Sequence, residues 1–113
     1  MAGEAAGPPV VIVPLPSEID VNNSADAWAG LLDTLDGPGV VIADMTGTTF
    51  CDSSGVRMLV TARDRAAASG STLRIVVSPD GPVARVLSIV GLDGLLPIYG
   101  SVREAMPDDL DAS

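Results

Sequence analysis

At 113 residues, 47% of them hydrophobic, the chain is the size of one domain and carries enough apolar side chain for a core, which excludes global disorder. Fifteen acidic residues against six arginines give a net charge of −9, a surface that repels nucleic-acid phosphates and anionic membranes and favours a basic protein partner. The absence of His and Lys removes Ser–His–Asp and Cys–His nucleophiles, histidine-held zinc, the phosphate-loop lysine and Schiff-base chemistry, and so points to a recognition module that is no enzyme and needs no metal and no cofactor.

The N-terminal stretch Met1-Ala2-Gly3-Glu4-Ala5-Ala6-Gly7 lacks the positive charge and apolar block of a signal peptide. No apolar run approaches the ~20 residues that span a bilayer, so the chain is expected to be soluble and cytoplasmic. Residues 1–9, small and ending in Pro8-Pro9, are expected to be a disordered tail. Val10 to Leu15 is a short β-branched run that predicts a strand, and Pro14 and Pro16 suit it to an edge or a strand end. Asn22-Asn23-Ser24 offers N-cap candidates for a helix over Ala25 to Leu35, where Trp28, Leu31, Leu32 and Leu35 recur at helical spacing; Gly37-Pro38-Gly39 stops it. Val40-Val41-Ile42-Ala43 is continuously apolar, the pattern of a strand covered on both faces.

Asp44 to Asp52 is a polar loop. Ser53 to Ala68 predicts a second helix with Val56, Leu59, Val60 and Ala67 on one stripe, ended by Ser69-Gly70-Ser71. Leu73 to Val77 predicts a strand, and Ser78-Pro79-Asp80-Gly81-Pro82 a turn that opens a third helix. That helix carries Val83, Val86, Leu87 and Val90 and closes at Gly91. Leu95 to Tyr99 predicts a last strand, and Ser101 caps a short helix with Val102, Ala105 and Met106. Residues 107–113 form an acidic tail, so one domain spans residues 10–106. Strands alternating with helices give an α/β class: a small, mostly parallel sheet packed against about four helices.

One segment departs from ordinary fold grammar: Asp44-Met45-Thr46-Gly47-Thr48-Thr49-Phe50-Cys51-Asp52-Ser53-Ser54-Gly55-Val56, a strand end, a polar loop and a helix start with adjacent hydroxyls. Here the sequence resembles the STAS family, specifically bacterial anti-sigma-factor antagonists. Their hallmark is an apolar strand, an acidic residue, a short loop and then Asp-Ser-Ser-Gly opening a helix that reads apolar-x-x-Leu, as Val56-Arg57-Met58-Leu59 does. Leu15-Pro16-Ser17-Glu18-Ile19-Asp20 is similar to the family's Gly-Glu-Leu-Asp segment, without its Gly. Val86-Leu87-Ser88-Ile89-Val90-Gly91-Leu92 is similar to its later helix ending in Gly-Leu. The resemblance covers about residues 10–106. The family has two strands before its first long helix where the pattern here predicts one, and an uncovered sheet edge would invite a partner or a weak homodimer.

The resemblance implies that Ser53 is phosphorylated by a partner that is both anti-sigma factor and serine kinase. The unphosphorylated protein would bind that partner and free a sigma factor, and a separate phosphatase would reset the switch. Asp52, Ser53, Ser54, Gly55, Asp20, Asp44 and Arg57 are the candidate partner-binding residues. Phosphate adds about −1.5 to −2 charge at pH 7. Each residue also has a plain structural role open to it. Ser53 or Ser54 could be an N-cap, Asp52 a complement to the helix dipole, and Cys51 a buried small hydrophobe, alone and so unable to form an internal disulfide. Asp20 and Asp44 could be loop acids, Trp28 a core anchor, Gly47 and Gly55 aids to tight backbone, and Arg57 and Arg63 solvated. Two other functions remain open: a STAS scaffold that carries no switch, in a stressosome-like or lipid-transport assembly, and a small enzyme or nucleotide binder.

Overall fold

The computed structural model describes residues 9–107. Along them run β1 (Val10–Pro14), β2 (Glu18–Ile19), α1 (Ser24–Leu32), β3 (Gly39–Asp44), β4 (Phe50–Cys51), α2 (Ser53–Ser69), β5 (Ser71–Val76), α3 (Pro82–Ile89), β6 (Ile98–Tyr99) and α4 (Val102–Ala105). β1, β3, β5 and β6 make one four-stranded sheet in that order, and every neighbouring pair is parallel. β2 and β4 make a second, two-residue parallel pair.

The alternation of side chains along a strand sends β3 to two cores at once. Val41 and Ala43 join Leu73 and Ile75 of β5 in the main core, which also takes Leu31 of α1, Met58, Leu59, Ala62 and Ala66 of α2, and Val83 and Leu87 of α3. Val40 and Ile42 point the other way and join Val76 and Ala105, with Val10, Tyr99, Val102 and Met106 beside them. The continuous apolar run of β3 is therefore covered on both faces. Full burial of a side chain such as Leu59 or Leu87 stabilises the fold by about 1.5–3 kcal/mol. On the α4 face Arg74 donates to the Ala105 carbonyl and sits 5.5 Å from the Tyr99 ring centre, which ties β5 to β6 and α4. No helix among the described residues is long and apolar enough to cross a membrane.

The structure corrects several boundaries. Two strands, not one, precede α1: Glu18–Ile19 forms β2, too short for any periodicity and set off from β1 by Pro16. Phe50–Cys51, expected to be loop, is its partner. The last strand begins at Ile98 rather than Leu95, because Leu95 and Leu96 turn back to hydrogen-bond the Leu92 carbonyl. α1 ends at Leu32; Leu35 is still fully buried, held in the turn by its bond to the Leu32 carbonyl. At the edge of the sheet, Val40 N–H to the Pro9 carbonyl and Leu15 N–H to the Asp44 carbonyl direct the odd-numbered residues of β1 toward β3. The backbone N–H and C=O groups of Val10 and Ile12 and the carbonyl of Pro14 then point away from β3, and Pro14 has no N–H to offer a further strand. The tails expected at 1–9 and 107–113 lie outside the described residues, apart from Pro9, which is bonded to β3, and Pro107, which is buried.

Candidate functional site

The polar loop after β3 is seated by short bonds to the chain that leaves β1. Thr48 is buried and its hydroxyl donates to the Pro16 carbonyl at 2.8 Å, while the Thr49 N–H donates to the Ser17 carbonyl at 2.7 Å. The β2–β4 pair continues this contact, and the Asp52 N–H closes it on the Ile19 carbonyl. These links, spread over Thr48 to Asp52, fix where α2 starts.

Asp52 is the N-cap of α2. Its backbone is extended, and Oδ1 accepts from the N–H of Ser54 at 2.8 Å and of Gly55 at 3.4 Å. Val56 N–H bonds the Asp52 carbonyl in the ordinary helical way. Capping by a carboxylate satisfies helix-start donors and complements the dipole, worth about 1 kcal/mol. Neither serine is then needed as a cap. Ser53 stands at the first helical position, exposed, and its hydroxyl makes no hydrogen bond among the described residues. Ser54 is half-buried on the other side of the helix, in a hollow with Trp28, Arg57 and Met58.

Gly55 is where the helix touches the β2–β4 pair. A methyl group built there would collide with the Cys51 sulfur and lie 2.9 Å from Ile19 Cγ2. The glycine in Asp-Ser-Ser-Gly is a matter of space: it lets the first turn of α2 rest directly on two buried side chains.

A groove of about 450 Å³ opens beside Ser53. Its α2 wall is Ser53, Val56, Arg57 and Val60, one stripe at helical spacing, and Val86 and Val90 of α3 face it, with Cys51 and Asp52 at the end. Val90 is 53% exposed and Ile89, next to it, 77%. Among the described residues Asp52 is the only anion and Arg57 the only cation on this lining. Phe50, also half exposed, lies on β4 just before Cys51.

A family model for the STAS domain matches residues 5–105. The chain belongs to the STAS domain family. Among solved structures, this STAS domain is similar to a candidate anti-sigma factor antagonist from Thermotoga maritima, at 25% identity and TM-score 0.70 over 86% of this chain and 84% of that one. The NMR structure of the same Thermotoga maritima protein superposes with TM-score 0.69 at 24% identity, over 92% of this chain and 83% of that one. A sulfate transporter family protein from Wolinella succinogenes shares the fold at 19% identity, TM-score 0.68, over 92% and 88%. No curated protein matches the chain by sequence.

Of the residues singled out in the sequence, the STAS domain brings Asp52, Ser53, Ser54, Gly55 and Arg57 together on the first turn and a half of α2. Asp20 and Asp44 serve turns. Asp20 Oδ1 accepts from Asn22 N–H, and its carbonyl from Asn23 and Ser24, so it organises the entry to α1. Asp44 Oδ1 accepts from the N–H and hydroxyl of Thr46 at the end of β3. Neither lines the hollows beside α2.

Cys51 is 6% exposed, and burial, followed by the nearby Asp52 charge, pushes its thiol up from 9.0 to about 11. It is a neutral packing group at physiological pH. Below the unfolded value of 9.0 both states hold the proton and stability does not depend on this group; between 9.0 and about 11 only the unfolded thiol ionises, so stability falls as pH rises through that window. Cys51→Ala should cost ~1 kcal/mol. In the native protein iodoacetamide should label Cys51 at pH 8 far more slowly than in urea. Equal rates would mean the thiol is reactive in the fold.

Proposed function

We propose that this STAS domain is an anti-sigma-factor antagonist of the partner-switching kind, acting in the cytoplasm. Unmodified, it docks on an anti-sigma factor through the first turns of α2 and the apolar groove beside them, and so releases a sigma factor for transcription. The observation that carries this reading is the Ser53 hydroxyl. Asp52 does the capping, so Ser53 is exposed, its hydroxyl unbonded among the described residues and held on the rim of an apolar groove, where a modification changes the surface without removing a bond the helix needs. The likeness to the candidate antagonist from Thermotoga maritima supports the same reading.

The protein is the substrate of the switch and contributes no catalysis. The anti-sigma factor, which is also a serine kinase, supplies ATP and its magnesium. The Ser53 oxygen bonds to the γ-phosphorus, the bond to ADP breaks, and the hydroxyl proton passes to a base on the kinase. A phosphatase later directs water at the phosphorus, releasing inorganic phosphate and restoring the hydroxyl. Asp52, Ser54, Gly55 and Arg57 border the contact, and Asp20 and Asp44 shape the loops beneath it.

Mass spectrometry tests the assignment. With magnesium and ATP alone the protein should take up no phosphate; with its cognate kinase it should take up one, on Ser53. Phosphate on Ser54 or Thr49 alone would place the switch elsewhere. No phosphate at all would leave a STAS domain that acts as a scaffold.

A further inference from the structure

We infer that Arg57 is the internal receptor for phosphate carried on Ser53, so that modification withdraws this arginine from the docking surface as well as adding charge to it. The inference rests on the reading of Ser53 as the modified residue. Ser53 and Arg57 are four residues apart on α2, and both line the same groove. Side chains at that spacing stack on one helix face with Cβ atoms ~5–6 Å apart. Every Cα–Cβ bond of a helix tilts toward its N-terminus, so Arg57 leans back toward Ser53.

The supply of other partners is short. Of the first four N–H groups of α2, those of Ser54 and Gly55 are taken by the Asp52 carboxylate and that of Val56 by the Asp52 carbonyl. Asp52 itself repels a phosphate. What remains is the N–H of Ser53 and a cation, and Arg57 is the only cation on the groove. Arg63 is turned to Asp64 and the Leu95 carbonyl, and Arg74 to the Ala105 carbonyl across the sheet. Arg57 makes no ion pair or side-chain hydrogen bond among the described residues and borders the hollows on both sides of α2. Arg57 is thus a cation free to turn toward a new anion on its own helix. The guanidinium fork matches phosphate oxygens in pairs, so a phosphate one turn away competes for it directly.

The test uses protein with phosphoserine incorporated at position 53 during translation, so it depends on neither kinase nor partner. The second ionisation of the phosphate is followed by phosphorus-31 NMR. A cation beside the phosphate favours the dianion, so the midpoint in the otherwise native protein should lie about 0.5 unit below that in Arg57→Gln, a roughly threefold change in the acid constant. Arg57→Lys, which keeps the charge, should keep a lowered midpoint. Arg65→Gln, the same charge change farther down α2, should leave the midpoint in place. Equal midpoints with and without Arg57, or an equal shift from Arg65→Gln, would overturn the inference. If Ser53 proves never to be modified by a kinase, the proposed function fails while this titration still reports the pair; if the kinase modifies Ser53 and the titration ignores Arg57, only the pair falls.

Discussion

Ser53→Asp should weaken binding to the anti-sigma partner by at least tenfold, and full phosphorylation by a hundredfold or more, with no loss of fold. Two unit charges ~6 Å apart interact by about 3 kcal/mol at an effective dielectric near 20. Each 1.4 kcal/mol is tenfold in affinity. A phosphate carries nearly two charges, and a partner docked over the groove that Ser53 shares with Val56, Val60, Val86 and Val90 would strip it of screening water. Aspartate carries one charge on a shorter stem, so it mimics the loss incompletely. Ser53→Ala should bind throughout and refuse phosphate. The fold is insulated because the bonds that start α2 belong to Asp52, so each variant should melt within a few degrees of the native protein. Isothermal titration and thermal melts read both quantities. Tight binding by Ser53→Asp, or loss of binding only through melting, would exclude a charge-based switch.

Gly55→Ala should destabilise the domain although alanine is the better helix former. Helix propensity favours the change by about 0.5–1 kcal/mol. Against it, the new methyl meets the Cys51 sulfur and the side chain of Ile19, both buried. Overpacking of this kind costs about 1–3 kcal/mol. The net loss should be about 1–2 kcal/mol, a fall in melting temperature on the order of 5–10 °C for a domain near this size. Gly55→Val, wider and β-branched, should lose more. Cys51→Ala removes the atom in the way, so the double variant Cys51→Ala/Gly55→Ala should be more stable than the sum of the two single losses predicts. Strict additivity would mean that the contact is not what requires glycine. Because this contact sets how α2 rests on β4, Gly55→Ala should also misplace Ser53 and slow its phosphorylation.

The sequence made the α/β alternation legible because its longer elements carry strong periods. The apolar run Val40–Ala43 reads as a doubly covered strand and is one; α2 and α3 sit within a residue of their predicted limits at either end. The pair β2–β4 was not legible, since two residues have no period and their partner lies some thirty residues away. Its absence from the pattern is why a single strand was expected before α1. Ser53 or Ser54 was the expected cap and Asp52 only a complement to the dipole, because serine and aspartate both favour helix starts; the bonds to Ser54 and Gly55 decide for Asp52. The groove was hidden for another reason. Val60, Val86 and Val90 lie on apolar stripes that periodicity assigns to the core, and only the packing shows that the stripes are wider than the core they cover. The positions of Asp20 and Asp44 in local turns likewise depend on backbone geometry that acidic residue type does not encode.

Phosphate on Ser53 is expected to control docking reversibly and locally. The most direct measurement follows one sample through three states: unmodified, phosphorylated on Ser53, and returned by phosphatase. Each state is titrated against the anti-sigma partner and melted alongside. Binding should be tight at first, fall a hundredfold or more at nearly unchanged melting temperature, and recover in full. Phosphorylated protein that binds as tightly as unmodified protein, or that loses binding together with its fold, would contradict it.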